Sequence, residues 1–210
     1  MNIVEGPRIA ALSCGKPVHL VILLHGEGED GAAIIDQALN WAPTLPKADF
    51  IALEAPAIPG DRRWFGAGTG IEATVSALDS FIDNALAQRR LPDSHLALVG
   101  FSQGAAIALV TALRRPRPMA AVVAFSGVVP DDVPLALGTS TPILLIHGED
   151  DDAIPFDAMM ATKERLKAAG VPVKSLRRPG LGHRMDDEGI MAAGIFLTDH
   201  IVARPREIQP

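Results

Sequence analysis

The chain has a single cysteine, Cys14, among its 210 residues. An intrachain disulfide is therefore excluded, and the composition fits a reducing compartment. It has no excess of positive charge. The formal net charge is −6, with a pI near 5.5, which argues against a nucleic-acid-binding surface. Short basic clusters at Arg114, Arg115 and Arg117, and at Arg177 and Arg178, read as solvated loop ends. The N-terminus, "MNIVEGPRIAAL", lacks a basic segment followed by an apolar one, so no signal peptide is expected. No apolar stretch reaches transmembrane length. The expectation is a soluble cytoplasmic protein with no nucleic-acid partner and no stable membrane insertion.

Internal repeats, linkers and low-complexity segments are absent too. What is present is a hydrophobic fraction of 48% with 21% charged residues, the balance of a globular chain. Apolar runs of strand length alternate with longer helix-like segments. The runs are His19 to Gly26, Asp49 to Pro56, Ser94 to Phe101, Ala120 to Gly127 and Pro142 to Gly148. Val171 to Gly180 is more polar and suits a strand near an edge. Near-continuous apolar strands are what a parallel sheet covered on both faces requires. Helices are expected over Ala32 to Trp41, Ile71 to Arg90, Gln103 to Arg114, Pro155 to Ala169 and Asp186 to Val202. The alternation reads as one doubly wound α/β domain spanning 1–210, with residues 1–7 and 204–210 frayed.

In such sheets, sites form at the carboxyl ends of the strands. Those ends deliver "HGEGEDG", "GFSQG", "HGEDDDAIP" and "PGLGHRMDD". A serine, an acid and a histidine follow in that chain order, the order of the α/β-hydrolase triad. Gly100-Phe101-Ser102-Gln103-Gly104 fits the G-x-S-x-G nucleophile elbow. There the serine takes strained dihedrals, and a side chain at either flanking position would clash.

A serine hydroxyl needs a base to take its proton. Of six histidines, His19 and His95 lie at the wrong edge of the sheet, and His200 falls in the final helix. His25 and His147 each precede a glycine at a strand end, where an imidazole can hold a loop. His183, on a glycine-punctuated loop after the last strand, is the candidate base, and acid that protonates it should stop turnover. The acid partner is one of Asp150, Asp151 and Asp152, among which the residues alone do not choose. The oxyanion donors are the amide of Gln103, just after the serine, and the amide of Glu27 in "HGEG". The Glu27 carboxylate is expected to point outward.

These segments resemble the phospholipase/carboxylesterase family of α/β-hydrolases, which includes acyl-protein thioesterases. "LLHGEGED", "GFSQGAA", "FSG" at Phe125 to Gly127, "ILLIHGEDDDAIP" and "GLGH" are similar to its motifs in order and spacing. The resemblance selects Asp151 as the acid. "RRWF" at Arg62 to Phe65 is similar to a family segment near the acyl-binding groove. Three positions depart from the pattern: Asp152 stands where proline is frequent, Ala105 where glycine is, and Glu27 where an apolar residue is common. The resemblance implies an α/β-hydrolase fold with a mostly parallel sheet and helices on both faces. The stretch from Gly127 to Pro142 leaves no room for a cap domain, so an open groove is expected. Trp64, Phe65, Phe101 and Met185 are the apolar candidates to line it; ordinary core packing is the alternative, strongest for Phe101.

The function implied is hydrolysis of a small-molecule ester through an acyl-enzyme on Ser102, with no metal or organic cofactor. An acyl thioester or a lysophospholipid is the alternative substrate. A non-catalytic binding protein of the same fold is disfavoured, because every triad member is present. The resemblance also allows a homodimer.

Overall fold

The computed structural model describes residues 3–58, 61–66, 70–135 and 139–202. Its elements, in chain order, begin with strands β1 (Val4–Ile9) and β2 (His19–Leu24). Helices α1 (Gly31–Ile35) and α2 (Ala38–Trp41) follow, then β3 (Ala48–Glu54) and the short ribbon β4 (Ala57–Ile58) and β5 (Asp61–Arg62). Next come α3 (Ile71–Arg89), β6 (Leu96–Phe101), α4 (Gln103–Arg114) and β7 (Ala121–Phe125). The chain closes with β8 (Ile143–Gly148), α5 (Phe156–Ala168), β9 (Val173–Arg178) and α6 (Asp187–Ile201).

Seven strands form one sheet in the order β1-β3-β2-β6-β7-β8-β9. All neighbours are parallel except β1, which runs antiparallel to β3. The β6, β7 and β8 residues are buried throughout, which is why they read as unbroken apolar runs. The half-exposed β9 is at the edge its polarity suggested.

Alternation along the strands splits the core in two. Leu20, Ile22 and Leu24 face a cluster closed by α3, α4 and α5, through Leu78, Ile82, Ile107, Leu109, Met159 and Leu166. Val21 and Leu23 face the opposite cluster, closed by α1, α2 and α6 through Ile34, Trp41, Phe196 and Leu197. Helices thus cover both faces. Among the described residues, the β7–β8 connection carries no helix or strand of its own. Nor is any helix there long and apolar enough to cross a membrane.

Three expectations need correction. The first residues are not all frayed: Val4–Ile9 pairs with β3, and Arg8 binds Asp49 at 2.7 Å. This strand is polar, exposed and interrupted by Pro7, with a register shift between Glu5 and Arg8, so it carries no apolar signal. Residues 204–210 lie outside the described part. The helix expected over Ala32 to Trp41 is split, because Gln37, Leu39 and Asn40 donate to carbonyls three residues back and tighten the turn. Arg115 is buried rather than solvated, and binds Asp93, Asp79 and Asp83. Burial raises the Asp93 carboxyl, but Arg115 and Arg117 outweigh it and hold the group below its ordinary range.

At the amino ends of the strands, His19 stacks on His95 with ring centroids 5.0 Å apart. Burial, then the electrostatic influence of His95 and Lys47, pushes His19 from the ordinary 6.5 down to about 4. The unfolded chain therefore takes up a proton that the folded one refuses between those values, and stability is lost as pH falls from 6.5 toward 4. His19→Asn is expected to flatten that decline, read as urea midpoints at pH 7 and pH 4.5.

Candidate active site

The parallel strands bring their carboxyl ends together along one edge, and the candidate residues sit there. Ser102 lies between β6 and α4 with φ 53° and ψ −118°, one of three non-glycine residues with positive φ among those described. The turn is forced tight by packing. A Cβ on Gly104 would come within 2.2 Å of the Leu24 carbonyl oxygen, and one on Gly100 within 2.5 Å of the Gly104 backbone. Such strain is retained where a side chain must be presented in one direction.

His183, on the loop after β9, faces that side chain. Its Nε2 lies 3.0 Å from Ser102 Oγ, and its Nδ1 lies 2.8 Å from Asp151 Oδ2. The Phe101 ring backs the imidazole at a centroid distance of 4.9 Å. Phe101 is a core residue, as its sheet neighbours suggested, and a brace for His183 as well.

The three adjacent aspartates are separated by local geometry. Asp150 and Asp152 are exposed, whereas Asp151 is buried. Its Oδ1 accepts the amides of Ala153 at 3.0 Å and Ile154 at 2.8 Å, so the turn aims the carboxylate inward. Burial pushes this carboxyl up, but the Ile154 amide, the His183 ring and the Ser126 hydroxyl outweigh it and hold it below its ordinary value. It therefore stays ionised opposite His183.

Two further histidines hold loops, as their positions before glycine suggested. His147 Nε2 donates to the Ile154 carbonyl at 2.8 Å and lies 3.3 Å from Asp151 Oδ2. His25 Nδ1 donates to the Gly26 carbonyl at 2.7 Å, while its Nε2 accepts the Ala55 amide at 3.1 Å. Those partners require the neutral ring, and burial, opposed by the Gly26 bond, lowers its proton affinity accordingly.

The loop carrying Glu27 lies beside the start of α4. Gln103 Nε2 donates to Glu27 Oε2 at 2.8 Å. The Glu27 carboxylate is half-exposed, so it does reach toward solvent, yet it is tied to its neighbours. Among the described residues, neither the Glu27 nor the Gln103 amide donates to another backbone carbonyl.

The lining residues fare unequally. Trp64 is 0% exposed and cannot line an open groove. Its indole N–H reaches the His25 carbonyl at 2.8 Å, and its own carbonyl accepts the Thr74 hydroxyl, which fixes it in the core. Phe65 and Met185 remain partly exposed, packed against opposite core clusters. Arg63 lies in the "RRWF" segment and Ser126 in "FSG", but the sequence assigns neither side chain a role. The positive φ of Ser126, 46°, and its bond to Asp151 emerge only in three dimensions. Among the described residues, no group of three or more His, Cys, Asp or Glu side chains is arranged to hold a metal ion.

A parallel sheet wrapped by helices, with a strained serine after its central strand and Asp and His supplied from later strand ends, is the α/β-hydrolase fold. Within that class the chain belongs to the phospholipase/carboxylesterase family, whose pattern matches residues 8–201. It is 32% identical over 200 residues to esterase YpfH of Escherichia coli (strain K12), covering 89% of this chain and 83% of that protein. It is 25% identical over 230 residues to acyl-protein thioesterase 1 of Neurospora crassa, covering 95% and 94% of the two chains. The crystal structure of esterase PE8 superposes with a TM-score of 0.87 at 33% identity, over 95% of this chain and 100% of that one.

Proposed function

We propose that this hydrolase cleaves carboxylic esters through an acyl-enzyme on Ser102. The observation that carries the reading is the hydrogen-bonded chain from Ser102 Oγ through His183 to Asp151, with links of 3.0 and 2.8 Å. Ser102 Oγ attacks the acyl carbon while His183 Nε2 takes its proton. Asp151, ionised, accepts the Nδ1 hydrogen bond and stabilises the imidazolium. The amides of Glu27 and Gln103 receive the charge that develops on the carbonyl oxygen. Collapse breaks the ester C–O bond, and His183 returns the proton to the departing alcohol. Water then attacks the acyl-enzyme by the same route, its proton passing through His183 to restore Ser102. Phe65 and Met185 contact the acyl group.

The similarity to a protein named as an acyl-protein thioesterase favours a second substrate class, an acyl thioester, cleaved by the same steps. The intact proton path argues against a purely non-catalytic role.

The test is labelling with a fluorophosphonate probe, located by mass spectrometry, alongside turnover of short and long p-nitrophenyl esters and an acyl thioester. The expected result is a single adduct on Ser102 that abolishes turnover. Turnover that survives complete labelling of Ser102, or no labelling together with no turnover of any substrate, would sink the reading. The ratio of ester to thioester kcat/KM decides between the substrate classes.

A further inference from the structure

The two residues proposed as oxyanion donors are joined through their side chains. Gln103 uses both ends of its amide: Nε2 donates to Glu27 at 2.8 Å, and Oε1 accepts the Trp64 N–H at 3.0 Å. The other Glu27 oxygen lies 3.4 Å from Arg63 Nη2. The same two segments are stitched elsewhere. The Gly28 amide donates to the Arg62 carbonyl at 2.8 Å, and the Trp64 indole donates to the His25 carbonyl at 2.8 Å. The loop 25–28, the segment 62–64 and the first residue of α4 thus form one braced unit.

Glutamate is an unfavourable residue here on two counts. Exposed ion pairs of this kind add about 0–1 kcal/mol to stability, so stability alone is a weak reason to place one. A carboxylate close to a developing oxyanion also opposes it unless a cation offsets the charge. Both counts are met if Glu27 works through its partners. We propose that Glu27 is a positioning residue: its carboxylate, held by Gln103 and offset by Arg63, fixes the separation of the Glu27 and Gln103 amides around the carbonyl oxygen of the substrate. This rests on the acyl-enzyme reading above.

The test compares Glu27→Ala, Glu27→Gln, Arg63→Gln and the double variant Glu27→Gln/Arg63→Gln on p-nitrophenyl butyrate, with circular dichroism and thermal midpoints for each. Glu27→Ala should lower kcat about tenfold with KM little changed, as small displacements of reacting groups do. Glu27→Gln, which keeps an acceptor for Gln103, should recover part of that loss. Arg63→Gln leaves the carboxylate uncompensated and should lower kcat, and adding Glu27→Gln should raise kcat again rather than lower it further. Strictly additive losses, or a loss confined to KM or to thermal stability, would overturn the proposal. Fluorophosphonate labelling of Ser102 in the wild-type protein separates the two levels. If labelling and turnover are both absent, the acyl-enzyme reading fails and the proposal falls with it; if labelling is present while the variants behave additively, the proposal alone fails.

Discussion

Ser102→Ala is expected to lower kcat on a p-nitrophenyl ester by about 10⁵-fold while leaving the fold in place. Removing Oγ takes away the atom that His183 Nε2 meets at 3.0 Å. Alanine keeps the Cβ, so the turn retains its φ of 53° and the strain is neither added nor relieved. The His183 ring is partly exposed, so water can replace the lost partner at little cost. The thermal midpoint should therefore move by only a few degrees. Residual catalysis of about 10³–10⁴ over water should persist, because binding and the oxyanion donors survive. His183→Ala should cost a similar factor, and the double variant should be no worse than either single one, since in the proposed mechanism nucleophile and base act as a unit. A Ser102→Ala protein that keeps more than about one part in a hundred of wild-type kcat would remove the serine from the mechanism.

Much of this was legible in the chain, and the parts that were not share a cause. The five central strands announced themselves because both faces are covered, so nearly every position between their ends is apolar, Asp49 apart, and no phase has to be guessed. The candidate pair Ser102 and His183 was legible because the proposed chemistry needs glycine on a tight turn and a histidine after the last strand. Strand β1 was not. It adds antiparallel to an edge, where polar residues and Pro7 are tolerated, and its anchor is a buried Asp49 that Arg8 finds 41 positions away. The acid of the proposed triad was ambiguous for the same reason. Three aspartates in a row have one composition, and only the turn that gives Asp151 two backbone amides tells them apart. Trp64 misled because an aromatic residue on a loop suits a groove as well as a core. Its indole N–H finding the His25 carbonyl settles the matter, and that contact is 39 residues apart in sequence. Glu27 and Gln103 are 76 apart, so the side-chain bond that answers where the glutamate points leaves no local trace.

Gly148→Ala is expected to lower kcat about 100-fold and to lower stability by about 2 kcal/mol or more, through one displaced loop. Gly148 ends β8, and the chain then turns toward Asp151. Against it lies the backbone that carries His183: a Cβ at 148 would come within 2.1 Å of the Leu181 carbonyl oxygen and 2.7 Å of that of Gly182. Neither atom can swing aside. The Asp150 amide donates to the same Leu181 carbonyl at 3.0 Å, and the Glu149 amide donates to the Arg178 carbonyl at 3.0 Å. The methyl group must therefore push the Leu181–Gly182 segment off the strand end, and His183 follows it. A shift of about 1 Å would break the 3.0 Å reach to Ser102 and the 2.8 Å reach to Asp151 together. Gly182→Ala is the control, because a Cβ there meets only the Asp150 carbonyl oxygen, at an ordinary 3.7 Å, and should cost little. Thermal melts and kcat measured on both variants separate the cases. Near-wild-type turnover in Gly148→Ala would mean that the histidine loop is positioned by something other than its backbone packing on β8.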